Sequence, residues 1–295
     1  MKPVVAGLDG SRESLAAAHW AAREALRRGL PLRLVHAWEG LPDDGAESNL
    51  PEVRVPQYRA RRVLRSAVDQ LNERYPQLYI AAEQVREQPG PALLAEAQHA
   101  ELLVIGSQGL SGVGGFVSGS VATATVAHVE RPVVLVRAGD AAEDEHLPDN
   151  SRQPSLHTPY RDVAVAVGGP CDEVMEFAFH AAELRRAPLR AIRAWHVPLT
   201  RHVPDAAERA RVRGEAEREL AALLEPWHEK YPTVSVMENL HEGRPAHVLV
   251  RAAGGAGLLV VGNRRRRATV GSHTGPVAHT LIHHVGCPVA LVPHE

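Results

Sequence analysis

Lysine is almost missing from this chain: Lys2 and Lys230 are the only two among 33 basic residues. A P-loop needs Gly-Lys-Ser/Thr so that the lysine reaches the phosphates, but Lys230 sits in Glu229-Lys230-Tyr231 and Lys2 precedes Pro3. P-loop ATPases are thereby excluded, and so are protein kinases, which require a Val-Ala-Ile-Lys strand lysine and a His-Arg-Asp loop. Cysteine is nearly as scarce. Cys171 and Cys287 make neither a disulfide framework nor a CxxC motif, so reduced structural thiols are expected. No apolar run approaches the ~18 to 20 residues that span a bilayer. Met1-Lys2-Pro3 leads straight into a strand-like segment with no signal region before it, and a soluble, cytoplasmic protein is the expectation. Neither sign of charge dominates, with 33 basic against 35 acidic side chains, so no nucleic-acid or membrane partner is expected. Acyl-transfer chemistry lacks a Gly-x-Ser-x-Gly elbow. The segment from His241 to His247 has the wrong spacing for HExxH and contains Pro245. His279 and His283 share a helix face at i, i+4, but two ligands do not make a metal site.

What the chain does have is self-similarity. A length of 295 residues suggests two domains at roughly 150 residues each, and a hydrophobic content of 44% with 23% charged residues is globular. Leu102-Leu103-Val104-Ile105-Gly106 recurs as Leu258-Leu259-Val260-Val261-Gly262, an offset of 156 residues. Tyr75-Pro76 and Pro132-Val133 recur at the same offset, while Ala21-Ala22 aligns with Ala181-Ala182 at 160, which places a gap of about three residues near Leu30. Between the copies, residues 138–161 are rich in Asp, Glu, Pro and Ser, the composition of a tether. The expected organisation is a domain over 1–138, a linker over 139–160 and a second domain over 161–295.

Within a copy, short apolar runs alternate with helical periodicity, which predicts a parallel sheet with crossover helices. Val4 to Leu8 reads as the first strand, followed by a helix capped by Ser11 or Ser14 and running to about Arg28. Strands are further expected over Leu32 to Trp38, Leu78 to Val85, Leu102 to Ile105 and Val133 to Val136. Helical spacing marks Val63 to Leu71, Leu93 to His99 and Ser120 to Val129. Each unit is thus an α/β domain of five strands and four helices.

Six of the fifteen residues from Gly106 to Ser120 are glycine. A glycine-rich loop between a parallel strand and a helix start lets main-chain N–H groups close on phosphate oxygens. Gly106-x-x-Gly109, nine residues, then Gly119-Ser120 resembles the ATP-binding signature of the universal stress protein family. The opening Val4-Val5-Ala6-Gly7-Leu8-Asp9-Gly10-Ser11 and the segment Val35-His36-Ala37-Trp38 look like the family's too. The resemblance covers all but the linker and is similar to the tandem members of actinobacteria. It implies two Rossmann-like domains of the adenine nucleotide alpha-hydrolase type.

The resemblance also implies roles. Asp9 would accept from ribose hydroxyls or hold magnesium brought by ATP, Gly7 would leave room for the nucleotide, and the main chain of Ala37 would meet the adenine edge. Gly106, Gly109, Gly112 and Gly119 would shape the phosphate cradle. Ser107 and Ser111 would neighbour it, and Ser120 and Val121 would offer donors at a helix start. Helix capping is the competing reading of Asp9. In the second copy Gly169 stands where Asp9 does, Arg265 replaces Gly109, and Pro276 replaces Ser120, losing hydroxyl and amide together. Asn263-Arg264-Arg265-Arg266-Arg267 reads as a solvated basic turn, with a weak second site left open. The expected protein is an ATP-binding, stress-response regulator rather than an enzyme, its second copy degenerate. A slow ATPase and a ligand-free pairing module are the alternatives. Its apolar final strands imply that the two copies pair as a pseudo-dimer, with a homodimer left open.

Overall fold

The computed structural model describes residues 1–38, 51–107, 120–197, 205–264 and 275–295. Its chain divides into two compact units, the boundary falling between Ala141 and Ala142.

The first unit alternates β1 (Val4–Gly7), α1 (Arg12–Arg28), β2 (Leu32–Trp38), α2 (Pro51–Arg74), β3 (Ile80–Arg86), α3 (Pro89–His99), β4 (Leu102–Ser107), α4 (Ser120–His128) and β5 (Val133–Arg137). Its strands are parallel in the order β3-β2-β1-β4-β5. Val4 pairs in register with Leu32 on one side and Leu102 on the other, so β1 is the strand at which the winding reverses. In an open parallel sheet that reversal leaves a crevice beyond the carboxyl ends of the two diverging strands, here β1 and β4. The core is built from strand residues buried on both faces, Val4, Val5, Ala6, Leu102, Leu103 and Val104 among them, as a sheet covered by helices requires. Helix α1 turns Ala17, Ala18, Ala21, Ala22 and Ala25 inward beside Trp20, a small-residue face that brings its axis close to the sheet. It ends at Gly29, whose φ of 63° is left-handed, and the amides of Gly29 and Leu30 both donate to the carbonyl of Ala25.

The second unit repeats the plan with β6 (Val163–Ala166), α5 (Asp172–Arg185), β7 (Leu189–Trp195), α6 (Ala206–Lys230), β8 (Val236–Glu242), α7 (Pro245–Ala252), β9 (Leu258–Arg264), α8 (Pro276–His284) and β10 (Val289–His294). Its strands are parallel in the order β10-β9-β6-β7-β8. Helix α5 has 14 residues where α1 has 17, which accounts for the change of offset near Leu30.

The stretch with linker composition is not extended. A 3-10 turn (Ala142–Glu145) leads into an antiparallel bridge between His146 and Tyr160, whose rings lie 4.0 Å apart. The His146 ring nitrogen Nδ1 bonds the Thr158 carbonyl at 2.6 Å. Asp149 turns the chain by accepting from the amides of Ser151 and Gln153, each at 2.8 Å, so polar composition here encodes a turn rather than a free tether. No helix among the described residues is long and apolar enough to cross a membrane.

Candidate functional site

At the carboxyl ends of β1 and β4 lies a cavity of about 300 Å³, lined by Asp9, Ser11, Ser14, Ala37, Gly106 and Val121 and walled by Val35, Leu93 and Ile105. The fold thereby gathers five expected site residues, Gly7, Asp9, Ala37, Gly106 and Val121, in one place. Gly109, Ser111, Gly112 and Gly119 lie outside the described residues. Ser120 opens α4, so the amides of the first turn, that of Val121 included, have no intrahelical acceptor.

The polar wall is a small hydrogen-bonded network across the β1–α1 turn. Asp9 Oδ1 accepts from the Ser11 amide at 2.9 Å and from the Ser11 hydroxyl at 2.5 Å. Ser11 Oγ in turn accepts from the Ser14 amide at 3.1 Å and so caps α1, and Ser14 Oγ donates to the Ser11 carbonyl at 3.0 Å. Gly10 makes the turn possible with a φ of +87°. Partial burial pushes the Asp9 carboxyl up, but the Ser11 hydroxyl and amide, then the Ser14 hydroxyl and Asp9's own amide, outweigh it and hold the pKa below the usual carboxylate value. Asp9 is thus an exposed, ionised carboxylate, and the helix cap is Ser11. Both bonds fall on Oδ1, which leaves Oδ2 to accept from a ligand or face a cation.

Two glycines of the cavity also pack closely against neighbouring elements. A Cβ at Gly7 would stand 2.9 Å from Leu93 Cδ2, so the missing side chain lets α3 approach β1. A Cβ at Gly106 would stand 2.5 Å from the Glu13 carbonyl carbon and 2.6 Å from the Ser14 amide nitrogen. Gly106 therefore lets the first turn of α1 close on β4, which sets the depth of the cavity. Ser107 is buried at the end of β4, its Oγ without a hydrogen-bond partner among the described residues, and it is not among the described residues lining the cavity.

Ser11 and Ser14 were not singled out as site residues, although Asp-x-Ser at a strand-to-helix turn signals a carboxylate oriented by the residue two ahead. A second hollow of about 600 Å³ shares Asp9, Ser11 and Ser14 with the first and brings Arg12, Arg62 and His36 to their other side. His36 Nδ1 bonds the Leu8 carbonyl at 2.6 Å, and Arg62 comes from α2. Nothing in the linear sequence connects that arginine with the β1–α1 turn.

In the second unit the corresponding cavity is about 570 Å³ and is lined by Gly168, Gly169, Cys171, Val174, Met175 and Ala194 with residues of α7, β9 and α8. Cys171 precedes α5 without a side-chain cap bond, and Pro276 opens α8. The imidazoles of His279 and His283 lie 4.6 Å apart, and among the described residues no cluster of three or more His, Cys, Asp or Glu side chains could hold a metal.

Comparison with known proteins fits this architecture. Residues 1–137 and 159–293 each match the universal stress protein family. Universal stress protein Rv2005c of Mycobacterium tuberculosis is 31% identical over 302 residues, covering 98% of this chain and 96% of that protein. Universal stress protein Rv2623 of the same organism is 30% identical over 293 residues, covering 98% and 95%. Among solved structures, a universal stress protein from Archaeoglobus fulgidus superposes with a TM-score of 0.67 at 13% identity, covering 99% of this chain and 98% of that one, a likeness of fold.

Proposed function

The chain belongs to the universal stress protein family, and from that premise we propose that its first domain is a regulatory receptor for an adenine nucleotide, ATP being held as a ligand rather than consumed as fuel. The observation that carries this reading is the cavity where the Asp9–Ser11–Ser14 network, the α4 start and the β2 end at Ala37 meet. Its parts suit the parts of a nucleotide. Asp9 Oδ2 is an acceptor for a ribose hydroxyl, Val35 and Leu93 are apolar walls for a base, the Ala37 backbone lies where a base edge would end, and the α4 amides face anionic oxygens. Gly106, Gly109, Gly112, Gly119 and Ser120 complete the reading as the phosphate cradle. Magnesium would come with the phosphates, with Asp9 the nearest carboxylate of the network.

A fast ATPase is not part of the proposal, because the glycine-rich stretch from Gly106 to Ser120 carries no lysine or arginine to neutralise transition-state charge. Regulation would follow from nucleotide-dependent stability of the β1–α1 turn. For assembly, the apolar final strands support a pairing of the two copies within one chain, and light scattering should then give the mass of a single 31.9 kDa chain; a dimer mass would contradict self-sufficient pairing.

The test is titration of the full-length protein with Mg-ATP, comparing Asp9→Asn and Asp9→Ala with the parent. Asparagine can keep the turn by accepting from Ser11 but loses the charge. Affinity should fall about tenfold for Asn, the scale of one charge-assisted hydrogen bond, and further for Ala. Unchanged affinity in both variants would remove Asp9 from the site.

A further inference from the structure

We propose that the cavity of the second domain is a binding site for an uncharged, largely apolar small molecule, not a weakened nucleotide site. The inference stands apart from the nucleotide reading of the first domain. Three positions of the polar network are replaced in register: Asp9 by Gly169, Ser11 by Cys171 and Ser14 by Val174. Each replacement removes a strong hydrogen-bonding group, and none puts one back. The two helix starts have changed as well. Cys171 makes no cap bond to α5, and Pro276 at the start of α8 has no amide hydrogen to offer.

A site that had merely decayed would be expected to fill in, yet this one keeps a volume of about 570 Å³. The reason can be read at one glycine in each unit. The nearest atoms to a Cβ on Gly106 are backbone atoms of Glu13 and Ser14, at 2.5 to 2.8 Å. Those nearest a Cβ on Gly262 are side-chain atoms, His294 Nε2 at 2.8 Å and Val174 Cγ2 at 3.3 Å. The first turn of α5 therefore stands back from β9, and space opens beneath it. That space is walled by Val167, Met175, Ile192, Leu249 and Val261, every one of them buried. Among the described lining residues the charged side chains are Arg264 and Glu295, of opposite signs. A cavity of this volume at the switch point of a parallel sheet, walled largely by apolar side chains, is the ordinary setting for small-molecule binding. An apolar occupant would gain from leaving water against those walls.

Cys171, at the mouth of this cavity and half-buried, supplies an internal reporter. The full-length protein is titrated with the neutral fluorophore N-phenylnaphthylamine, and maleimide labelling of Cys171 and Cys287 is followed by peptide mass spectrometry. The expected result is saturable fluorescence enhancement at about one probe per chain, at least fivefold slower labelling of Cys171 with Cys287 unchanged, and no displacement by Mg-ATP. Met175→Gln, nearly isosteric, should weaken the probe at least fivefold. Displacement of the probe by Mg-ATP would place it in the first domain and overturn the proposal, as would absence of saturable binding or unprotected Cys171. Because Cys171 protection is read in the unmodified chain, the outcome does not depend on any variant folding or on ATP binding elsewhere.

Discussion

Both donors of Ser11 meet Oδ1 of Asp9, and the ligand contact proposed for this residue falls to Oδ2. Because the folded pKa lies below the ordinary value of about 3.9, the stability this carboxylate contributes is present above that value and is lost as pH falls through the depressed one. Ser11→Ala removes the hydroxyl donor, so the Asp9 titration followed by carboxyl NMR should move up toward the ordinary value; an unmoved titration would mean Ser11 does not orient it. At the two glycines, geometry separates the expected costs. A methyl at Gly106 meets main-chain atoms that cannot step aside and should destabilise by about 3 kcal/mol, whereas one at Gly7 meets the end of the Leu93 side chain and should cost about 1 kcal/mol. Thermal unfolding of Gly106→Ala and Gly7→Ala checks the order, and equal losses would contradict it. At this scale the sequence was informative about placement where a motif is contiguous, as for Asp9 at the β1–α1 turn and Gly106 near the end of β4. It was silent where a contact crosses the chain, as between Gly7 and Leu93 or between Arg62 and the β1–α1 turn.

Helix ends illustrate how the two copies solve one problem with different residues. Helix α1 stops at Gly29 in the left-handed region, and α5 stops at Arg186 with a φ of 48°, a conformation that costs a side chain roughly 1 kcal/mol. Arg186→Gly should therefore stabilise the second domain by about 1 kcal/mol, read as a higher denaturant midpoint at unchanged slope; no gain would mean that a contact of Arg186 offsets the strain. Several elements were legible from periodicity alone. Strand β2 runs Leu32–Trp38 as read, and α1 ends at Arg28. Others moved for local reasons. Helix α3 begins at Pro89 rather than near Leu93, because Pro-Gly-Pro reads as a breaker although proline is tolerated in a first turn. Strand β3 begins at Ile80 rather than Leu78, whose amide is held in a turn by the Tyr75 carbonyl at 3.0 Å.

Over the whole molecule, duplication has left one sheet plan and two chemically distinct cavities. The repeat offset was enough to expose the plan, since it rests on apolar runs that any parallel sheet must bury. The divergence of the sites was legible as lost polar residues in the second copy. The space left behind there was not, because volume depends on how closely a helix approaches a strand. The central claim, one nucleotide receptor in a two-domain chain, is tested most directly by calorimetric titration of the intact, nucleotide-stripped protein with Mg-ATP. The account predicts a stoichiometry of about one per chain that vanishes or weakens sharply in Asp9→Ala. A stoichiometry of two, or one that survives unchanged in that variant, would contradict it.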